Sequence, residues 1–489
     1  MPNVQRALGV AALVFAIGAV VVACDDATTS PGSDSGLDAA TDSGVVSALD
    51  AGIDAGSVAA MDAATDAGSA AGSDAGTDAG SVVVTDAGIV AALDAGTLVD
   101  VVEISTGAAH SCARRSGATV VCWGMGTSGR LGDGTTSHST CSPFGAPFDC
   151  SATAVVVSGV DDAADISAGD THTCARRIAG AVVCWGMNRL GQLGDGTTTA
   201  RATPVAVSGL VDALEVSSGG GHTCARRLSG SVVCWGGNAY GQLGDGTTVA
   251  RLTPVAVSGL LDAVQISAGG DHTCARRAAG PIVCWGRNAG GQLGDGTTTD
   301  HSTPVAVVGL ADVAEVSAGG RHTCARLGTG AVSCWGANDG GELGDGSTSH
   351  SACGAYAIDC ALAPVTVSAL TDSVQISAGH WHTCAQRGGG EVVCWGDNGN
   401  GALGDGTTTR RLTPVAVPGL VDSVAVSARG DPGFNSHTCA MRGTGAVVCW
   451  GTNTFGQLGD GTTTGHSMCG GGVPIDCSLT PVTVEPPAP

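Results

Sequence analysis

His172-Thr173-Cys174-Ala175-Arg176-Arg177, Ile178-Ala179-Gly180, Ala181-Val182-Val183-Cys184-Trp185-Gly186 reads as two six-residue arms around a three-residue turn. The pattern stands seven times in the chain. Its first cysteine is Cys112, Cys174, Cys224, Cys274, Cys324, Cys384 or Cys439; its second is Cys122, Cys184, Cys234, Cys284, Cys334, Cys394 or Cys449, ten positions on in every copy. Each second cysteine is followed by Trp-Gly, from Trp123-Gly124 to Trp450-Gly451. Such regularity marks a repeat architecture, in which neighbouring units share one core.

The plain unit is 50 residues, from Cys174 to Cys224 to Cys274 to Cys324. Each unit carries four β-like runs, in the third copy Ala213–Ser217, His222–Arg226, Ser231–Trp235 and Pro254–Val257. They are rich in β-branched residues and bounded by Gly, Asp and Thr, and no stretch has a helical period. Seven units of four strands predict an all-β fold, a closed seven-bladed propeller over residues 98–489. Two closures are open: each blade takes its runs in order, or the last run, Pro481–Val484, completes a blade begun near the N-terminus.

The matching marks are Gly219-x-x-His222-Thr223, Val233-x-Trp235-Gly236, Asn238 and Gly241-Gln242-Leu243-Gly244. On these the unit resembles the regulator of chromosome condensation repeat, a seven-bladed propeller family. The resemblance covers about four fifths of the chain and implies fold more than activity. That fold hosts a nuclear exchange factor for the Ran GTPase, a plant light receptor and a secreted β-lactamase inhibitor. Guanine-nucleotide exchange is therefore one implied function. The cysteine pair in every unit departs from the eukaryotic pattern.

Of 21 cysteines, fourteen belong to the repeats and one, Cys24, stands alone. The other six form close pairs in loops: Cys141 with Cys150, Cys353 with Cys360, and Cys469 with Cys477. Symmetry about the turn sets each repeat pair across a hairpin, Cys112–Cys122, Cys174–Cys184, Cys224–Cys234, Cys274–Cys284, Cys324–Cys334, Cys384–Cys394 and Cys439–Cys449. Ten disulfides and an oxidising compartment are expected. Seven pairs of buried free thiols are the alternative. No C-x-x-C supports zinc, and no metal or cofactor is expected.

Residues 1–24 form an export signal: Arg6, an apolar run Ala7–Val22 too short for a comfortable span, then Val21-Val22-Ala23-Cys24. That ending resembles a bacterial lipoprotein box, which implies lipidation of Cys24; an ordinary secretory signal is the alternative. The outer membrane or cell surface is the favoured location. Asp25-Asp26 resembles an inner-membrane retention signal of enteric bacteria, and the leaflet stays open. Residues 25–97 hold thirteen Asp and no Lys, Arg, Cys or aromatic residue. They cannot bury enough apolar surface to offset chain entropy, so a disordered tether of about 50 Å is expected. The Asp spacing lacks a calcium-loop pattern.

The chain has 44 acids against 21 arginines and no lysine, a net charge of −23. That excludes nucleic acid as a partner and leaves the lipid anchor as the only membrane contact. No nucleophile–base pair, phosphate loop or paired-acid site stands out, so the protein reads as a monomeric binding scaffold rather than an enzyme. Its expected partner is a macromolecule, in first place a protein. An enzyme inhibitor and a carbohydrate-active propeller are alternatives. The repeated Trp reads as packing between blades, the repeated His (His110 to His437) as a structural hydrogen bond, and Asp195 and Asp295 as turn formers.

Departures from uniformity place the binding surface. The cysteine loops 138–150, 350–360 and 466–477 lie between runs three and four of units one, five and seven. The insertion Arg429–Ser436 and the pair His380-Trp381 lie between runs one and two of units seven and six. In an up-and-down blade both kinds of link emerge on one face. Phe144, Phe148, Tyr356, His380, Trp381, Arg429, Asp431, Phe434 and Phe455 are the candidate contacts. Arg429-Gly430-Asp431 also spells an integrin-recognition tripeptide, at a frequency chance explains.

Overall fold

The computed structural model describes residues 97–141, 147–278, 280–354, 357–431, 435–470 and 475–487, and before them a two-stranded ladder. That ladder, Val84–Thr85 with Gly88–Ile89, lies in the stretch expected to hold no regular structure.

From Val101 onward seven antiparallel sheets follow one another. Blade two is typical: Ala163–Ala168, His172–Arg177, Val182–Gly186 and Arg201–Ala206, hydrogen-bonded in chain order. The other blades begin at Val101, Ala213, Ala263, Val313, Ser373 and Ser423. Blades one, five and seven add a short fifth strand, Ser139–Cys141, Ser351–Cys353 and Ser467–Cys469. The fourth strands begin earlier than the sequence pattern suggests. In blade three the fourth strand is Arg251–Ala256, because a bulge lets Arg251 pair with Gly236.

The hairpin of strands two and three explains the cysteine spacing. Arg177 N–H donates to the Ala181 carbonyl and Gly180 N–H to that of Arg177, closing a three-residue turn with Gly180 at φ 88°. Counting back in alternation, Cys174 and Cys184 face each other at a non-hydrogen-bonded pair, where strands approach most closely. Their Cα atoms are 4.0 Å apart and bonded through sulfur. The other six repeat pairs are likewise joined.

The three further disulfides are Cys141–Cys150, Cys353–Cys360 and Cys469–Cys477, with Cα atoms 5.9–6.0 Å apart. Their placement in loops is corrected by the structure. Cys150, Cys360 and Cys477 belong to the fourth strands Phe148–Val156, Ile358–Thr366 and Ile475–Thr483, and their partners end the fifth strands. In blade seven Cys477 is fully buried and stands opposite Thr452 on one side and Ser467 on the other. The early start of the fourth strand is what draws Cys477 into the sheet, so its bridge to Cys469 runs diagonally across the added hairpin.

In blade one the residue at Gly180's place is Ala118, held at φ 60°. A side chain there is strained by roughly 1 kcal/mol. Ala118→Gly is expected to stabilise the propeller by about 0.5–1 kcal/mol. Denaturant titration checks this, and a fall in midpoint would refute the strain.

The core lies between blades. At the boundary of blades two and three, the disulfide Cys174–Cys184 packs with Leu193, Leu210 and the Trp235 ring of the next blade. All seven repeat tryptophans are fully buried. Gly244, at φ 69°, lets the chain pass beneath Trp285; a Cβ there would come within 2.8 Å of the indole nitrogen. Blade seven meets blade one through an equivalent cluster with Leu98, Trp123, Cys439 and Val484, and Leu98 N–H donates to the Val484 carbonyl. Each blade keeps its own four strands, so packing rather than a shared strand closes the ring. Among the described residues no helix is long and apolar enough to cross a membrane.

Candidate functional site

The links between strands one and two, and those between three and four, share one face, where both line a cavity on the propeller axis. Beneath that face runs a ring of side chains. Each repeat histidine reaches from its own blade to the hydroxyl of the next: His110 to Thr173, His172 to Thr223, His222 to Thr273, His272 to Thr323, His322 to Thr383, His382 to Thr438 and His437 to Ser111, all at 2.7–2.9 Å. Thr223 in turn donates to the Gln192 carbonyl, which also accepts Trp235 Nε1–H. This makes His172 Nε2 the donor and fixes its tautomer. The Nδ1 atoms of six of these histidines are buried without a hydrogen-bond partner. Burial drives the ring imidazoles far below their usual pKa: His172, His222, His272, His322 and His437 to about 3, His382 to about 4. The ring is neutral and structural.

The Asp of each Leu-Gly-Asp-Gly forms a turn and pairs with a basic side chain. Asp195 accepts from Thr197 N–H at 2.9 Å and holds Arg201 at 2.8 Å; Asp245–Arg251, Asp295–His301 and Asp405–Arg411 repeat the pairing. In the three blades with a fifth strand a histidine takes the cation's place between two carboxylates: His138 with Asp133 and Asp149, His350 with Asp345 and Asp359, His466 with Asp460 and Asp476. Burial alone would lower these imidazole pKa values, but the hydrogen bonds to Asp raise them on balance. Among the described residues no group of three or more His, Cys, Asp or Glu is arranged to hold a metal ion.

The cavity has a volume of about 520 Å³ and is walled by blades two to six. Gly220, Gly270 and Gly320 are among the residues that line it. A Cβ on Gly220 would fall 2.6 Å from the Gly270 carbonyl, so only glycine lets the links converge this closely. Arg287 and Arg321 supply cations. Arg287 donates to Asp271 at 3.1 Å and lies over the Tyr240 ring. Arg321 lies 5.7 Å from the Trp381 ring centroid and 3.7 Å from Asp339.

The candidate contacts divide. Trp381 is half-buried and lines the cavity. His380 also lines it but is buried, and burial lowers its pKa to about 4. Arg429, expected on the surface, instead points across the axis to Asp170 of blade two at 3.0 Å, with its other end 3.5 Å from the Ala268 carbonyl of blade four. A lone guanidinium finds its counter-charge there rather than in solvent, which removes the integrin-type reading. Asp431 accepts a hydrogen bond from Asn435 at 2.7 Å. Phe455 is only 4% exposed and meets Phe148 edge-on at 5.5 Å, with Cys141 and Cys150. These two rings therefore pack blade seven against blade one and are not contact anchors. Phe144, Tyr356 and Phe434 lie outside the described residues, as does Cys24. The expected arc of blades five, six, seven and one overlaps the cavity only at blades five and six.

Sequence reading missed Asp170, Asp271, Arg287 and Arg321. The signal was present: just before the repeated His, successive units carry Thr171, Gly221, Asp271, Arg321 and Trp381. So much chemical variety inside an otherwise fixed motif marks a position that packing does not dictate.

The family described as RCC1-like domain matches residues 51–325, and the regulator of chromosome condensation (RCC1) repeat matches 329–386 and 389–431. The human probable E3 ubiquitin-protein ligase HERC4 is 33% identical over 106 residues, 21% of this chain and 10% of the ligase. The ultraviolet-B receptor UVR8 of Arabidopsis thaliana is 36% identical over 99 residues, 20% of each chain. The alignments thus span a tenth to a fifth of these relatives. Yeast RCC1 (Prp20), solved bound to Kap60, superposes with a TM-score of 0.60 at 20% identity, over 68% of this chain and 78% of its own. Human WBSCR16 superposes with a TM-score of 0.61 at 22% identity, over 74% and 92%. With the family match extending over more than half the sequence and seven blades built on its motifs, this chain belongs to the RCC1-like domain family.

Proposed function

We propose that this protein is an exported, lipid-anchored propeller that binds a protein partner at the bacterial envelope through the face carrying the one–two and three–four links. The observation that carries the reading is asymmetry. The three cysteine hairpins, the blade-seven insertion and the axial cavity all interrupt the repeat on that face. Ten disulfides support an oxidising compartment. The leader ending in Cys24 and the Asp-rich stretch after it support an anchor with a spacer. The yeast relative's structure with Kap60 supports protein binding as a use of this fold.

One experiment tests both halves. Wild-type chain is expected in the membrane fraction and Cys24→Ser in the soluble exported fraction. Trp381→Ala with Met468→Ser, two side chains on that face, should weaken partner capture from envelope extract at least tenfold and leave the melting temperature within about 2 °C. Met468 is 66% exposed on the blade-seven hairpin. If Ile178→Ser with Leu228→Ser on the opposite face abolishes capture instead, the face assignment is reversed.

A further inference from the structure

Among the groups around the axial cavity, one is left chemically incomplete. Asp170 is neutralised by Arg429 and Asp271 by Arg287. Arg321 has only a longer ion pair. Its nearest carboxylate, Asp339, stands at 3.7 Å, too far for a hydrogen bond. Among the described residues nothing accepts a hydrogen bond from its guanidinium. Yet the group is not loose: it lies over the Trp381 ring, and its side chain is 29% exposed. A planar donor fork is thus held on an aromatic platform at the wall of a cavity of about 520 Å³, a size typical of ligand sites.

We propose that this cavity is a carboxylate site in which Arg321 takes the carboxylate in a bidentate pair, with Trp381 and Leu190 packing against the hydrocarbon next to it. A single fork matches a monoanion. Three acids, Asp170, Asp271 and Asp339, stand against three guanidiniums, Arg429, Arg287 and Arg321, so the wall carries no surplus positive charge to offset a phosphate dianion. An organic cation finds no unpaired acid beside the cavity, and Arg321 already occupies the Trp381 ring. The carboxylate comes either from a small organic acid or from an acidic side chain presented by the bound protein. The inference rests on the assignment of this face as the binding face.

Trp381 supplies the readout, since the seven repeat tryptophans are fully buried and it is not. The disulfide-intact protein is titrated with glutarate and with a blocked peptide containing Glu, following acrylamide-accessible tryptophan fluorescence and heat. Saturable binding is expected. Arg321→Gln should weaken it at least tenfold, Arg321→Lys nearly as much because the fork is lost, and Arg189→Gln, outside the cavity, not at all. Trp381→Phe should remove the fluorescence change while heat still reports binding. The Glu peptide replaced by its Gln counterpart should not bind. Saturation by glutarate alone assigns a small acid, and saturation by the peptide alone assigns a partner's side chain. Equal affinity of Arg321→Gln and wild type, or of Gln and Glu peptides, overturns the proposal. So does the absence of binding by both probes while partner capture is intact, an outcome that leaves the face assignment standing.

Discussion

Taken from pH 7 to pH 4, the propeller is expected to lose stability steeply and to take up protons as it unfolds. The cause is the ring of seven histidines. Their folded pKa values lie near 3 to 4 or well below the ordinary value, burial being the main cause, while an unfolded imidazole titrates near 6.5. Below pH 6.5 the unfolded state binds the extra protons, so stability is full above that value and falls as pH drops. Each group contributes up to about 1.4 kcal/mol per pH unit, and seven give about 9–10. Protonation in place is resisted twice over, by desolvation and because six Nδ1 atoms have no acceptor nearby. Glu342 works the other way: burial raises it to about 8, so it releases a proton on unfolding. Calorimetry at pH 5.5 in two buffers of different ionisation heat should therefore show uptake of about five protons per molecule. Uptake near zero would mean the ring is already charged or hydrated. The hairpin histidines, with raised pKa values, are charged in both states at that pH and add no slope there.

Denaturation with reduction is expected to be irreversible as long as reductant remains. Each repeat disulfide closes a loop of about eleven residues, worth roughly 2–3 kcal/mol, or about 15–20 kcal/mol for seven in the chain-entropy picture. Typical net stabilities of 5–15 kcal/mol do not survive such a loss. The bridges are also fully buried beside the tryptophans, so reduction would push each pair of sulfurs from bonding to van der Waals distance inside a packed interblade core. Reductant alone, without denaturant, should act slowly for the same reason. Removing only Cys353–Cys360 should leave the ring folded, since that bridge ties down a fifth strand outside the four. Far-UV dichroism and thiol counting check both outcomes. Refolding of the fully reduced chain to a native transition would show that side-chain packing alone suffices.

The fold was legible because the same physical problem is solved seven times. Cys, Trp and His recur at fixed spacing, and only a ring of equivalent interfaces gives each copy the same surroundings. Their structural roles followed from multiplicity: a ligand site does not come in sevens. The cavity was not legible in the same way. It arises where links from five blades converge, and whether Arg321 is satisfied depends on where Asp339 and Trp381 stand in three dimensions. Arg429 shows the limit most plainly. Its insertion was visible in the sequence, but not that the side chain turns inward to a carboxylate 259 positions away. The pairing of Cys469 with Cys477 was legible from proximity, but not that Cys477 sits inside a strand, because the bulge that starts that strand early leaves no mark in composition. Phe148 and Phe455 read as anchors because they fall in the arc of irregular links, yet a place in that arc does not say which side of a hairpin a ring faces.

The core of the seam between blades seven and one is built like those of the six other boundaries, with the Phe148–Phe455 contact added beside it and no strand crossing it. Cutting the chain in any four–one link and joining the present ends should therefore produce the same ring. Circularly permuted genes ought to encode functional protein, and the unit of inheritance is the whole blade, which can be copied or swapped between genes without breaking a sheet. The memory of blade order lies in the contacts that differ from unit to unit, Phe148 with Phe455, Arg429 with Asp170, and the cavity: only the sequence of links that sets Asp271, Arg321 and Trp381 side by side reproduces it, so shuffled blades would keep the scaffold and change what it recognises.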